Sequence, residues 1–361
     1  MAYKISPILV MITLLTLSCQ QRNRSQSDFM LENSSVSLID SQDEITLCDS
    51  KAKILRMDEL CLCNPTAIVF HEDSLLLVAD EYDSKQLLIL DLKMNKCSRI
   101  ISKGRAENEL LSLWDIHLSN NHVYLSSPLE NKLLVLQFDI DDRELKVNTS
   151  VKFPHQFMRC APLNEQYVTL ASASSAKRFF VWDKHINIID TIGTFPSIGI
   201  ENHDNADNGV LQSDWAFSPD GTHFVTTYKR IDYIDIYKNK DLKKRIRGPR
   251  NHTVAIRTKE VQDGYFRSSL TPTYFSYKGV VATETGFWTG YIGLDCRNGM
   301  MPVPEMNKIS KIFRFDWDGN VIESFAVSNP IDAFTIDEKS RKLYCLYQNP
   351  EPEILIYDLP K

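Results

Sequence analysis

The chain has 361 residues, 43% of them apolar and 10% aromatic, which is enough to bury a sizeable core and a poor match to disorder. Its formal net charge of −6 argues against nucleic acid as a partner, because neutralising phosphates takes a basic surface.

Residues 1–19 read as a targeting segment. Lys4 supplies a positive start, and residues 8–17 form an apolar run of about ten residues, too short to cross a bilayer as a helix. The run ends in Leu15-Thr16-Leu17-Ser18-Cys19, which resembles a bacterial lipoprotein signal, with a small residue before the cysteine that becomes the lipidated N-terminus. Thr16 stands where leucine is usual, as in the loose lipoboxes of Bacteroidetes-type sequences. The expectation is lipidation at Cys19; an ordinary secretory signal is the other reading. Residues 20–43 would then be a polar tether, and the lipid would hold the protein on a membrane without spanning it. Seven further cysteines remain, an odd number that cannot all pair within one chain. Cys61-Leu62-Cys63 has one residue too few for a C-x-x-C ligand pair, so buried free thiols are the expectation for most of them.

The informative signal is a strand pair that recurs. First strands read at 75–80, 123–127, 167–172, 224–227 and 343–347; their partners read at 87–92, 133–139, 179–183, 233–237 and 354–358. Eleven residues separate Asp80 from Asp91, Ser126 from Gln137, Ser172 from Asp183, Thr226 from Tyr237 and Tyr347 from Asp358. Two short β-branched or aromatic runs joined by a polar turn are a hairpin. A sixth copy takes 279–283 and 312–316, with its turn grown into an insertion over roughly 286–308. Second strands then end 46, 46, 54, 79 and 42 residues apart, close to the period of a four-stranded propeller blade.

Each unit also offers an inner strand, at 66–70, 114–118, 157–161, 214–217, 272–276 and 331–336. Outer strands follow at 97–101, 145–153, 186–192, 244–247 and 321–327. The last unit has none, because the chain stops at Lys361. Residues 44–57 have no unit of their own and are expected to supply the missing strand, since an open ring leaves two sheet edges in water. The expected fold is all-β: a six-bladed β-propeller of four-stranded antiparallel blades over residues 44–361, closed by an N-terminal strand.

Three stretches carry a family resemblance. Ala216-Phe217-Ser218-Pro219-Asp220-Gly221-Thr222-His223-Phe224 resembles the turn between inner and second strands in TolB-type propellers; Pro219 presets the turn and Gly221 supplies a positive φ. Asp316-Trp317-Asp318-Gly319-Asn320, with Tyr344 and Tyr357-Asp358-Leu359, resembles the TolB-like six-bladed propeller lipoproteins of Bacteroidetes. Gly104-Arg105-Ala106-Glu107-Asn108-Glu109 resembles a loop of that family, with Ala106 and Asn108 in place of two glycines. The resemblance covers about 65–361. It implies a fold and no activity; with the lipid signal it points to the bacterial cell envelope, anchored on the outer membrane.

In a propeller, the connections from outer strand to next inner strand collect on one face around the channel, where ligands bind. The ligand- or partner-binding candidates therefore come from three such connections. The first offers Arg105, Glu107, Glu109 and Trp114. The second, 196–215, offers His203, Asp204 and Asp207. The third, 248–271, offers Arg250, His252, Arg257 and Arg267, and both of these long segments exceed the usual length of a structureless connection. The basic run 238–250 reads as a solvated outer strand and turn.

The leading expectation is a binding protein with no assigned catalysis and no cofactor, whose partners are the membrane, through its lipid, and an unknown protein or small-molecule ligand. The alternative is a lactonase-like propeller hydrolase or lyase, with histidines and carboxylates meeting at the axis to hold Ca or Zn. Asp204-Asn205-Ala206-Asp207-Asn208-Gly209 fails calcium-loop spacing at Ala206. The sequence contains no G-x-S-x-G, H-E-x-x-H, P-loop or G-x-G-x-x-G.

Overall fold

The structure is a computed structural model. It describes residues 44–360 except 49–50, 57–59, 72–73, 83, 120–121, 140–143, 156, 158, 171–176, 195–211, 251–255, 263–264, 271–273, 296–306 and 349. The signal segment, Cys19 and the tether lie outside the described residues, as do His203, Asp204, Asp207 and His252.

Two short strands, β1 (Ile45–Leu47) and β2 (Lys53–Ile54), precede the blades. Blade one is β3 (Pro65–His71), β4 (Leu75–Tyr82), β5 (Lys85–Asp91) and β6 (Lys96–Ser102). Blade two is β7 (Asp115–Ser119), β8 (His122–Ser127), β9 (Lys132–Asp139) and β10 (Glu144–Lys152). Blade three is β11 (Cys160–Leu163), β12 (Gln166–Leu170), β13 (Phe179–Trp182) and β14 (Ile188–Ile192). Blade four is β15 (Ser213–Phe217), β16 (His223–Tyr228), β17 (Tyr233–Lys238) and β18 (Asp241–Arg247). A separate hairpin follows, β19 (Ile256–Gln262) and β20 (Tyr265–Leu270). Blade five is β21 (Tyr274–Ala282), β22 (Gly286–Asp295), β23 (Ile309–Asp316) and β24 (Val321–Ile331). Blade six holds β25 (Ala333–Asp337), β26 (Lys342–Gln348) and β27 (Pro352–Asp358).

The central strands are apolar on both sides because each blade is sandwiched between two others. In β4 the side chains alternate between neighbours, as strand geometry requires. Leu75, Leu77 and Ala79 pack with Ile116, Leu125 and Leu134 of blade two, while Leu76 and Val78 pack with Tyr344, Leu346 and Ile354 of blade six. The contact between blades one and six closes the ring. Each such core leucine contributes about 1.5–3 kcal/mol by burial.

The N-terminal closure is present and is double. β2 pairs antiparallel with β27, Lys53 opposite Ile356, and completes blade six. β1 pairs parallel with β24, Ile45 opposite Phe325, and adds a fifth strand to blade five. Leu47 is buried there in one core with Trp288, Phe325 and Leu355. The parallel strand is not foreseeable from a repeat of four.

Blade five corrects the sequence reading. Residues 279–283 are not the first strand of a hairpin; most of them end the long inner strand β21. The second strand is β22, which the sequence reading assigned to an insertion over 286–308. Glycines at 286, 290 and 293 and the bulges in β21 hide the pattern. Residues 248–271, too long for a structureless connection, hold a hairpin in which β19 and β20 pair, Ile256 opposite Leu270. The turn 218–222 forms as expected: the Gly221 N–H donates to the Ser218 carbonyl at 2.8 Å, with Gly221 at φ +71°.

The charged mouth of the channel as candidate functional site

Five of the six blades bring a charged side chain to the ring, four of them at the start of an inner strand. Going round the ring these are Asp115, Arg159, Asp214, Lys278 and Asp332, and their signs alternate. Asp115 opens β7 and Asp214 is the second residue of β15; Arg159 and Asp332 stand immediately before β11 and β25. Lys278 is midway along β21, because that strand starts early and runs on across blade four, where the Ser276 N–H donates to the Lys229 carbonyl at 2.9 Å.

Arg159 is the keystone. Its Nε and Nη2 donate to the two oxygens of Asp115 at 2.5 and 2.6 Å, the forked geometry that suits guanidinium and carboxylate. Its Nη1 donates to Asp214 of the next blade. The Asp115 side chain is 7% exposed and that of Asp214 is 4% exposed, so water does little of this work. His117 Nε2 lies 2.9 Å from Asp115 Oδ2. Burial alone would raise the Asp115 carboxyl; the Arg159 guanidinium and His117 outweigh it and hold the group far below the usual carboxylate range. Asp214 is held low in the same way, against burial, by Arg159, Lys229 and the Gly279 N–H.

Gly279 has a structural reason. It sits in a bulge of β21 at φ +76°, and its N–H donates to Asp214 Oδ2 at 2.6 Å. Lys229, on the turn after β16, lies 3.2 Å from Asp214 Oδ1. On the far side, Lys308 approaches Asp332 Oδ2 at 3.4 Å and donates to the Gln348 carbonyl at 2.7 Å. Lys278, half-buried between them, donates to the Asn307 carbonyl at 3.1 Å. Burial lowers the proton affinity of Lys278; Asp332 and Asp214 oppose that, while Lys229 and Lys308 add to it, and the net direction is down.

Blade one gives no charge to the ring. Its Asp80 accepts the Cys63 N–H at 3.1 Å, the Asn64 N–H at 2.7 Å and Arg99 Nη2 at 2.6 Å, and pins the segment entering β3.

The described candidates of the blade-one to blade-two connection lie next to Asp115, just before the inner strand it opens. Arg105, Glu107 and Trp114 are exposed on the connection from blade one to blade two. The Glu109 carboxylate turns back to accept the Ala106 N–H at 3.0 Å, and Lys132 Nζ donates to the Ala106 and Glu109 carbonyls, each at 2.7 Å. Gly104 leaves room for this carboxylate, since a Cβ there would displace it. The Arg250 N–H donates to Asp232 Oδ2 at 2.9 Å while its side chain is exposed. Arg257 and Arg267 lie on β19 and β20, whose side chains are outside the described residues. None of the ring residues is a sequence candidate. For four of them a local signal exists, a charged residue beside the start of an inner strand; Lys278, midway along β21, has none.

Among the described residues, no group of three or more His, Cys, Asp or Glu side chains is placed to hold a metal ion. The described cysteines at 48, 61, 63, 97, 160 and 345 form no disulfide. Much of the basic run 238–250 is engaged locally: Arg245 grips Asp235 at 2.6 and 2.8 Å, and Lys244 donates to the Asp318 carbonyl at 2.7 Å.

The family described as TolB-like 6-blade propeller-like matches residues 44–339. No curated protein matches the sequence. Among solved structures, a protein of Bacteroides fragilis NCTC 9343 described as exported is 13% identical with a TM-score of 0.52, over 91% of this chain and 98% of that one. A Lactobacillus plantarum protein is 12% identical over 83% of each chain, with a TM-score of 0.47. The Cps50 (Swd1) β-propeller domain of Myceliophteria thermophila is 10% identical over 86% of this chain and 100% of that domain, also at 0.47. The match to the family over most of the chain, and six blades closed into a ring, lead to one conclusion: this chain belongs to the TolB-like six-blade propeller family.

Proposed function

We propose that this protein is an exported, lipid-anchored binding propeller of the bacterial envelope, which takes a ligand or partner protein at the charged mouth of its channel. The alternating ring from Asp115 to Asp332 is the observation that carries the binding reading. Charges that are mostly withdrawn from water cost free energy, and hydrophobic replacements of similar size often match or exceed such pairs in stability. A ring of them at the rim of a channel therefore suits recognition better than support. Arg105, Glu107, Glu109, Trp114, His203, Asp204, Arg250, His252 and Arg267, all from connections between blades, are the outer contacts in this reading.

Export rests on the apolar run 8–17 and on the resemblance to an exported Bacteroides fragilis protein; anchoring rests on Ser18-Cys19, and the outer membrane is the membrane proposed. Catalysis has no assigned residue. Two measurements test the proposal. Cys19→Ala moves the protein from the membrane pellet to the soluble envelope fraction; an unchanged distribution contradicts lipid anchoring. Lys229→Glu weakens capture of the protein's envelope partner or ligand; unchanged capture contradicts the mouth as the binding surface.

A further inference from the structure

The carboxylates at the mouth are satisfied more fully than the ammonium groups. Asp115 accepts two N–H groups of Arg159 and faces His117; Asp214 accepts Arg159 and the Gly279 N–H and pairs with Lys229. The lysines keep unused donors. A lysine has three N–H bonds. Lys278 spends one on the Asn307 carbonyl, and Lys229 and Lys308 are fixed by the few contacts already described. Of the three ring carboxylates, Asp332 has an oxygen, Oδ2, outside hydrogen-bond geometry, and Lys308 faces it at 3.4 Å. Four cations, Arg159, Lys229, Lys278 and Lys308, thus face three carboxylates. Lys278 bonds the carbonyl of Asn307, the residue before Lys308, and the N–H of Gly279, the residue after Lys278, bonds the same Asp214 that Lys229 pairs with, so three ammonium groups from two neighbouring blades share one region.

We propose that this region is an anion site, centred on Lys278 with Lys229 and Lys308 beside it, that receives a carboxylate or phosphate group of the ligand. The inference rests on the binding function proposed above and deepens it. An entering anion fills the spare N–H bonds and relieves the repulsion among the three ammonium groups. Removing Lys278 removes its charge-assisted bond, a loss that weakens binding by at least about tenfold.

The test uses the full-length protein at neutral pH and constant ionic strength, titrated by calorimetry with inorganic phosphate and separately with glutarate. Wild type and Lys146→Met, an exposed lysine on the outer strand of blade two, bind at least one probe saturably with equal affinity. Lys278→Met keeps its folded circular-dichroism spectrum and binds that probe at least about tenfold more weakly. Preference for phosphate or for glutarate identifies which group the natural ligand carries. Absence of saturable binding of either probe to wild type, or equal binding by Lys278→Met, overturns the anion site. If Lys229→Glu still abolishes partner capture in that case, the mouth remains the binding surface and only its anion selectivity is lost.

Discussion

Arg159 of blade three binds Asp115 of blade two through two parallel N–H···O contacts of 2.5 and 2.6 Å. Its remaining terminal nitrogen reaches Asp214 of blade four, so a single side chain ties three blades together at the channel rim.

That pair makes acid stability depend on Asp115. Its carboxyl is held low in the folded protein, so its contribution is fully present above the unfolded value of about 3.9 and is lost as pH falls below it. Asp115→Asn removes about 3–5 kcal/mol at neutral pH by leaving Arg159 short of its partner. Urea unfolding from pH 7 to pH 2 then shows a shallower acid decline in the variant, with the two curves converging at low pH. Parallel curves would mean that Asp115 is not held low.

Lys278 is shifted in the same direction, but its charged form is the one the fold disfavours. Burial is the largest influence on it and favours the neutral amine, so the ammonium form is penalised in the folded state. Stability due to this residue rises with pH through the interval between its lowered folded value and the unfolded value of about 10.4. Lys278→Met abolishes that alkaline rise and is at least as stable as wild type at pH 7. A drop of more than about 1 kcal/mol in the variant would show that the lysine is a structural requirement.

Deep between blades three and four, Arg178 is fully buried and donates to Ser213 Oγ at 2.8 Å and Thr226 Oγ1 at 2.9 Å. It also donates to the Tyr228 hydroxyl, and Asp235 beyond it accepts Tyr228 at 2.8 Å and Arg245. Arg178→Ala strands these groups without water and costs about 3–5 kcal/mol. Chemical denaturation measures this, and a loss below about 1 kcal/mol would refute the network as a structural centre.

Deleting residues 44–57 exposes the edges of blades five and six, because β1 and β2 cover them. The truncated chain aggregates or loses cooperative unfolding. Size-exclusion chromatography with a urea melt decides it, and a monomeric truncation with the parental midpoint would contradict a closing role.

The blades were legible where the hairpin offset is eleven residues, because period and polar turns are local properties. Blade five was not. Gly286, Gly290 and Gly293 dilute the apolar pattern of β22, and Gly279 breaks the register of β21 at the point where its N–H is needed by Asp214. The charge ring was hidden for a different reason. Asp115 and Arg159 are 44 residues apart and Arg159 and Asp214 are 55 apart, so only the closed ring makes them neighbours. The sequence reading chose Trp114 and passed over Asp115 next to it. Trp114 is 49% exposed, whereas Asp115 is buried and faces the axis network.

Site-specific photo-crosslinking in intact cells tests binding at the mouth. A crosslinker is placed at Arg105 on the mouth face and, separately, at Lys339 on a turn of the opposite face. With the ligand or partner at the mouth, Arg105 gives a discrete adduct that Lys229→Glu abolishes, and Lys339 gives none. An adduct from Lys339 alone, or an Arg105 adduct indifferent to Lys229→Glu, would contradict binding at the mouth.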